Sequence, residues 1–96
     1  MARPKKCRRI CGRPVHSCFK PNGIPLGKLK KVEILAEEFE AIRLADFEKL
    51  SQQEAADQMG VSRQTFGNIV NLARFKVASC LVEGNALVLE NKESEQ

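Results

Sequence analysis

Hydrophobic residues recur at helical spacing in three stretches between residues 36 and 83 of this 96-residue chain. Phe39, Ile42 and Phe47 mark a helix over about 36–47, and a second stretch predicts a helix over about 52–59. A third helix over about 63–83 carries the longest apolar stripe: Phe66, Ile69, Val70, Ala73, Val77, Cys80 and Leu81. We expect Phe39, Ile42 and Phe47 to share one core with Phe66 and Ile69 of the third helix.

Capping residues separate the second and third helices. Ser51 followed by Glu54 is a capping box, so a helix should begin at Gln52. This helix should end at Gly60, which we expect in a left-handed backbone conformation. Ser62 then caps the third helix, which should end at Gly84. Small side chains in the second helix would allow a close crossing of the third. This pattern predicts a helix-turn-helix, a fold that binds DNA.

The polar face of the third helix carries the candidate chemistry. Gln64, Asn68 and Asn71 lie opposite the apolar stripe, with Arg63 beside them in the first turn, where recognition helices contact base edges. Glutamine and asparagine can bond adenine at two atoms, and arginine can do so to guanine. The residues predicted to contact the DNA backbone from this region are Ser62, Thr65, Arg74 and Lys76. The alternative is an ordinary solvated face.

Positive charge is concentrated at the N-terminus. Residues 1–32 hold ten Lys or Arg and no acid, whereas residues 33–96 hold six Lys or Arg and all twelve acids. We expect this basic arm to contact phosphates or the minor groove, the latter suggested by Gly12-Arg13-Pro14, unless the arm serves only solubility. Its candidate backbone-contacting residues are Arg3, Lys5, Lys6, Arg8, Arg9 and Arg13.

Two resemblances cover most of the chain. From Glu37 to Val82, through Glu-Ala-Ile-Arg-Leu-Ala-Asp-Phe-Glu-Lys-Leu and Ser-Gln-Gln-Glu-Ala-Ala, the sequence resembles region four of bacterial sigma factors. Ala-Arg-Pro-Lys-Lys-Cys-Arg-Arg-Ile, Phe-Lys-Pro-Asn-Gly-Ile-Pro-Leu and Leu-Val-Glu-Gly-Asn-Ala-Leu make the whole chain similar to a prokaryotic family of small, uncharacterised proteins regarded as DNA-binding. The resemblance implies a helical DNA-binding domain. Phe75 replaces a basic residue that members of that family usually carry.

The expected fold is mainly α. It is a three-helix helix-turn-helix domain, similar to sigma region four, with an extended basic arm. We also expect one short two-stranded pairing of about 32–34 with 87–89, because apolar residues alternate or cluster in both segments. Residues 1–31 would form the arm and a Pro/Gly loop, 32–90 the domain, and 91–96 a disordered acidic tail.

Three cysteines and the only histidine lie close together near the N-terminus, as Cys7, Cys11, His16 and Cys18. Thiolate and imidazole are ligands that zinc prefers, so a zinc or other metal site is one interpretation, although the proposed chemistry requires no cofactor. Their spacing is unlike that of common zinc fingers, and redox-active or simply free thiols are the alternatives. Cys80, on the apolar stripe, should belong to the core.

Phe75 lies nearly opposite Phe66 on the third helix, in line with Ala78 and Val82. A homodimer would bury this second apolar edge, whereas an isolated exposed aromatic residue is the alternative.

We expect a sequence-specific regulator that binds double-stranded DNA, and no enzyme, because a catalytic triad, phosphate loop or metal-hydrolase motif is missing from the sequence. The alternatives are a module that contacts the transcription machinery, such as RNA polymerase, through the acidic helix Glu37 to Glu48, or an RNA-binding protein that uses the arm. A membrane span and a signal peptide are not predicted, so we expect the protein in the cytoplasm.

Overall fold

The structure, a computed structural model, describes residues 17–90. Its strands are β1 (Cys18–Phe19), β2 (Lys31–Ile34) and β3 (Ala86–Leu89), and its α-helices are α1 (Ala36–Ile42), α2 (Gln52–Met59) and α3 (Arg63–Glu83). A 3₁₀ turn at Leu26–Lys28 precedes β2, and α1 continues directly into a π-helix over Arg43–Phe47. Residues 17–90 are therefore mainly helical, with three α-helices and a small three-stranded sheet.

The predicted caps and turn glycines are confirmed. The Ser51 hydroxyl accepts the backbone N–H of Glu54 at 3.1 Å, and the Glu54 carboxylate accepts the backbone N–H of Ser51 at 2.9 Å. Gly60 ends α2 and Gly84 ends α3, each with a φ of 73°, a conformation in which a Cβ would be strained. Only Gly60, Val61 and Ser62 separate α2 from α3, so the two helices are joined by a tight turn.

The main core forms where α2 and α3 meet α1 and the π-helix. Ala55, Ala56 and Met59 of α2 are fully buried, and their small or flexible side chains admit the larger Phe66. The remaining members of this cluster are Ala41, Leu44, Ile69 and Val70. Burying a side chain such as Phe66 contributes about 1.5–3 kcal/mol, so this cluster fixes which face of α3 points inward.

Two expectations about apolar residues are wrong, because Phe47 of the predicted core and Leu81 of the predicted apolar stripe are both exposed. Phe47 is 78% exposed, because the i→i+5 bonding of the π-helix, as from Glu48 N–H to the Arg43 carbonyl, widens the turn that follows the buried Leu44. Leu81 is also exposed, because the last turns of α3 extend beyond the main core and bury a narrower strip that includes Cys80. Cys80 belongs to the buried set, as predicted.

The sheet joins the two ends of the described chain in the order β1-β3-β2. β2 pairs in parallel with β3, with Val32 opposite Leu87 and Ile34 opposite Leu89, which confirms the predicted pairing of 32–34 with 87–89. The expectation of two strands is wrong, because Cys18 and Phe19 add a third strand antiparallel to β3. A two-residue strand beside Pro21 is too short to show a period in the sequence.

Among residues 17–90, no helix combines the length and the apolar character that crossing a bilayer requires.

Candidate nucleic-acid interface

The N-terminal half of α3 presents a polar surface to solvent. Arg63, Gln64, Asn68 and Asn71 are all exposed, and among the described residues their side chains form no hydrogen bond or ion pair. Phe66, Ile69, Val70 and Ala73 bury the opposite side of the helix, so the rotation of α3 is set by the core. The structure thus places all four predicted base-reading residues on the exposed side of one rigid helix, with their donors and acceptors available.

The first turn of α3 offers a second kind of contact. The Ser62 hydroxyl accepts the backbone N–H of Thr65 at 3.0 Å and donates to Thr65 Oγ1 at 2.9 Å. This arrangement leaves the hydroxyl hydrogen of Thr65 free to donate to an anion. A helix N-terminus also favours negative charge, so Thr65 is placed to contact a phosphate, whereas the Ser62 hydroxyl serves mainly as the cap.

Two of the three cations on α3 are held by acids of the same domain. Arg74 donates twice to Asp46, with Nη2 to Oδ1 at 2.8 Å and Nε to Oδ2 at 3.1 Å. This hydrogen bonding raises the pKa of the Arg74 guanidinium. Both side chains remain about half exposed, so a phosphate could compete with Asp46 for Arg74.

Lys76 pairs with a buried carboxylate, whereas the partner of Arg74 is exposed. Its ammonium donates to the buried Glu38 carboxylate at 2.8 Å and to the backbone carbonyl of Glu33 at 2.9 Å. Removing it from that site would leave a buried carboxylate without its counter-charge. Among the described residues, Arg63 is therefore the one cation of α3 without an ion pair.

Most acidic residues of the helix considered as a protein-contact surface, Glu37 to Glu48, form ion pairs within the domain. Glu40 and Glu48 both pair with Arg43, Glu38 pairs with Lys76, and Asp46 pairs with Arg74. Glu38 and Glu40 are also buried. Asp46 was missed as a neighbour of the candidate interface, because an ion pair between residues so distant in sequence leaves no local signal.

The predicted backbone-contacting residues of the arm lie outside the described residues, and so do Cys7, Cys11 and His16 of the suggested metal set. Cys18, the fourth member, lies in β1 and is half-buried. Residues 17–90 contain no cluster of His, Cys, Asp and Glu that could hold a metal ion.

One known protein family matches this sequence along its given length. Residues 1–96 match the family described as protein of unknown function DUF134. The chain belongs to the DUF134 family. A UPF0251 protein of Vibrio parahaemolyticus serotype O3:K6 (strain RIMD 2210633) is 70% identical to it, over 98% of this chain and 98% of the relative.

Further relatives of this DUF134 chain bear the same UPF0251 name. The protein of Aeromonas salmonicida (strain A449) is 58% identical, over 94% of this chain and 88% of the relative. That of Shewanella sediminis (strain HAW-EB3) is 53% identical, over 99% of both chains. No solved structure matches the chain. The family names state no activity or ligand, so the chemistry of this DUF134 protein has to be argued from the surface of α3.

Proposed function

We propose that this protein is a sequence-specific DNA-binding protein, and specifically a transcriptional regulator, in which α2 and α3 act as a helix-turn-helix similar to region four of sigma factors. The observation that carries the proposal is the set of four exposed polar side chains on the first turns of α3, none of them used within the described domain. In this proposal α3 enters the major groove.

Each of the four side chains has a role that its chemistry allows. Gln64, Asn68 and Asn71 can each bond an adenine edge through an amide, and Arg63 can bond guanine. A good two-point contact of this kind discriminates between bases by about 1–3 kcal/mol. Because the four lie within about two turns of one helix, they can read neighbouring base pairs in one groove.

Binding strength on this proposal has to come largely from the N-terminal arm. Arg74 and Lys76 are paired with acids, and Arg63 alone provides little of the charge needed to bind a polyanion. The basic residues from Arg3 to Arg13 supply that charge on phosphates or in the minor groove. Specificity and affinity are thus assigned to different parts of the chain.

Selection of bound sequences from random duplex DNA tests the base-reading role. The wild-type protein is expected to enrich a defined motif, and Gln64→Ala and Asn68→Ala are expected to lose preference at single, different positions of it. Gln58→Ala is the matched control, because Gln58 is an exposed glutamine of α2 that makes no hydrogen bond among the described residues. Failure of the wild-type protein to enrich a motif would refute the proposal and leave the RNA-binding and polymerase-contacting alternatives.

The arm is tested separately by its salt dependence. Replacing Arg3, Lys5, Lys6, Arg8, Arg9 and Arg13 by glutamine should weaken DNA binding and flatten the plot of log affinity against log salt. The slope should fall by about 0.9 for each phosphate that the arm no longer neutralises. The enriched motif should remain the same. An unchanged slope would show that the arm does not bind phosphates.

A further inference from the structure

Gln64, Asn68 and Asn71 belong to a stripe that runs the whole length of α3. Gln64, Asn68, Asn71, Phe75, Ala78 and Val82 follow one another at alternating intervals of four and three residues. On a continuous helix from Arg63 to Glu83 this spacing keeps all six on one side. The stripe changes character between Asn71 and Phe75, from hydrogen-bonding amides to hydrocarbon.

The apolar half of the stripe is uncovered among the described residues. Phe75 is 66% exposed and Val82 is 84% exposed, and the flanking Leu72 and Leu81 are 49% and 80% exposed. Phe75, Ala78 and Val82 share one side of α3, with Leu72 and Leu81 on its two opposite edges, so an apolar patch is exposed over about two turns of the helix. Because such patches usually mark binding sites, this face calls for a partner.

We propose that the partner is a second copy of this chain, whose α3 packs along the same apolar half-stripe, defined as Phe75, Ala78 and Val82. Spacing of four and three residues is the pattern by which helices of the same kind interlock in a coiled coil. The small Ala78 lies between the larger Phe75 and Val82, so two copies that cross at Ala78 can approach closely there. Each large side chain then packs beside the crossing point.

The charge of the half-stripe fits self-association. The half-stripe contains no charged residue, and the neighbouring Arg74 is already neutralised by Asp46, so two copies do not repel each other at this face. A charged partner would find little to complement here. The overlap begins at Phe75, one turn beyond Asn71, so the four proposed base-reading residues lie outside it.

Sedimentation equilibrium of the full chain, in reducing buffer and without DNA, tests this proposal independently of the DNA-binding function. The apparent mass should rise with concentration toward twice that of the chain. Phe75→Glu and Val82→Glu should each weaken self-association about 30-fold or more, as expected for a central interface residue. Phe47→Glu, at a phenylalanine outside α3 that is 78% exposed, should associate like the wild type.

Circular dichroism of each variant separates loss of pairing from loss of fold. The helical signal should be retained, because both replaced side chains are mostly exposed and glutamate is a good helix former. A wild-type protein that stays monomeric at every concentration would overturn the proposal. A Phe75→Glu variant that is folded and associates as strongly as the wild type would overturn it as well.

Discussion

Lys76 and Glu38 face each other across the contact between α3 and α1, with 2.8 Å between Lys76 Nζ and Glu38 Oε1. Glu38 is only 3% exposed, and its Oε1 also accepts the backbone N–H of Leu35 at 2.9 Å. The lysine reaches further, to the carbonyl of Glu33 in β2. One ammonium group therefore ties together a helix start, a second helix and an edge of the sheet.

Replacing this lysine should destabilise the fold. Lys76→Met leaves the buried Glu38 without its counter-charge, and we expect a loss of about 3 kcal/mol in the free energy of unfolding, measured with urea. Adding Glu38→Gln should recover part of that loss, because no buried charge then remains. Lys31→Met, at an exposed lysine without an ion pair among the described residues, should change stability by less than about 0.5 kcal/mol. Equal effects at the two lysines would contradict the structural role of Lys76.

The exposed pair between Arg74 and Asp46 should matter for DNA rather than for stability. Asp46→Asn removes an acid beside the proposed interface and frees Arg74 for a phosphate, so DNA affinity at low salt should increase several-fold. The free energy of unfolding should fall by no more than about 1 kcal/mol, as for other solvent-exposed pairs.

Glu83→Gln is the control for that experiment, because it makes the same charge change at the far end of α3. Binding can be measured by fluorescence anisotropy of a labelled duplex over a range of salt concentrations. If Glu83→Gln strengthens binding as much as Asp46→Asn, the gain reflects net charge alone and not the release of Arg74.

Two glycines, one within α3 and one at its end, should respond oppositely to alanine. A Cβ on Gly84 meets nothing within 4 Å, yet its φ of 73° is strained for alanine, so Gly84→Ala should cost about 1 kcal/mol. A Cβ on Gly67 would lie 4.0 Å from Gln52 Oε1, an ordinary contact, and Gly67 is helical. Gly67→Ala should therefore stabilise the protein by about 0.5–1 kcal/mol. Thermal unfolding of both variants checks the difference, and the same sign for both would be inconsistent with it.

Cys80 should make stability depend on alkaline pH. Burial, and then the nearby Glu83 carboxylate, raise the pKa of the Cys80 thiol above its ordinary value of 9.0. The folded protein therefore prefers the neutral thiol, so this contribution to stability is complete below the ordinary pKa and is lost as pH rises through the folded value. Urea unfolding at a series of alkaline pH values should show a shallower decline for Cys80→Ala than for the wild type.

The same burial should slow alkylation of Cys80. With iodoacetamide at neutral pH, peptide mapping by mass spectrometry should find Cys80 modified more slowly than the half-buried Cys18. In denaturant the two thiols should react at similar rates. Faster reaction at Cys80 in the folded protein would show that the last turns of α3 open readily.

Local signals explain how much of the fold could be read from the sequence. Ser51, Gly60 and Ser62 act on their own neighbours, through caps and a left-handed turn, so the boundaries of α2 and α3 follow from a few adjacent residues. The prediction for Phe47 failed because regular helical spacing does not continue through the π-helix Arg43–Phe47, where the backbone bond runs from Glu48 N–H to the Arg43 carbonyl. The prediction for Leu81 failed because periodicity shows which side of a helix is apolar, but not along how much of its length other elements pack against that side.

The same difference between local signals and tertiary packing applies to the candidate interface. The exposure of Gln64 and Asn68 follows from their position opposite Phe66 and Ile69, and the sequence was enough to predict it. The engagement of Arg74 and Lys76 could not be predicted in this way, because Asp46 and Glu38 reach them only through the crossing of α1 and the π-helix with α3. Counting basic residues along α3 therefore overstates the charge that it offers to a polyanion.

β3 is the last element of the described chain, yet it lies in the middle of the sheet. During synthesis neither β1 nor β2 has a strand to pair with until Leu89 has left the ribosome, because each of them bonds to β3. The helices can associate earlier, since their contacts lie closer together in sequence. Pairing of β3 therefore closes the sheet only after all three helices have been synthesised, and it brings together the segments that precede α1 and follow α3.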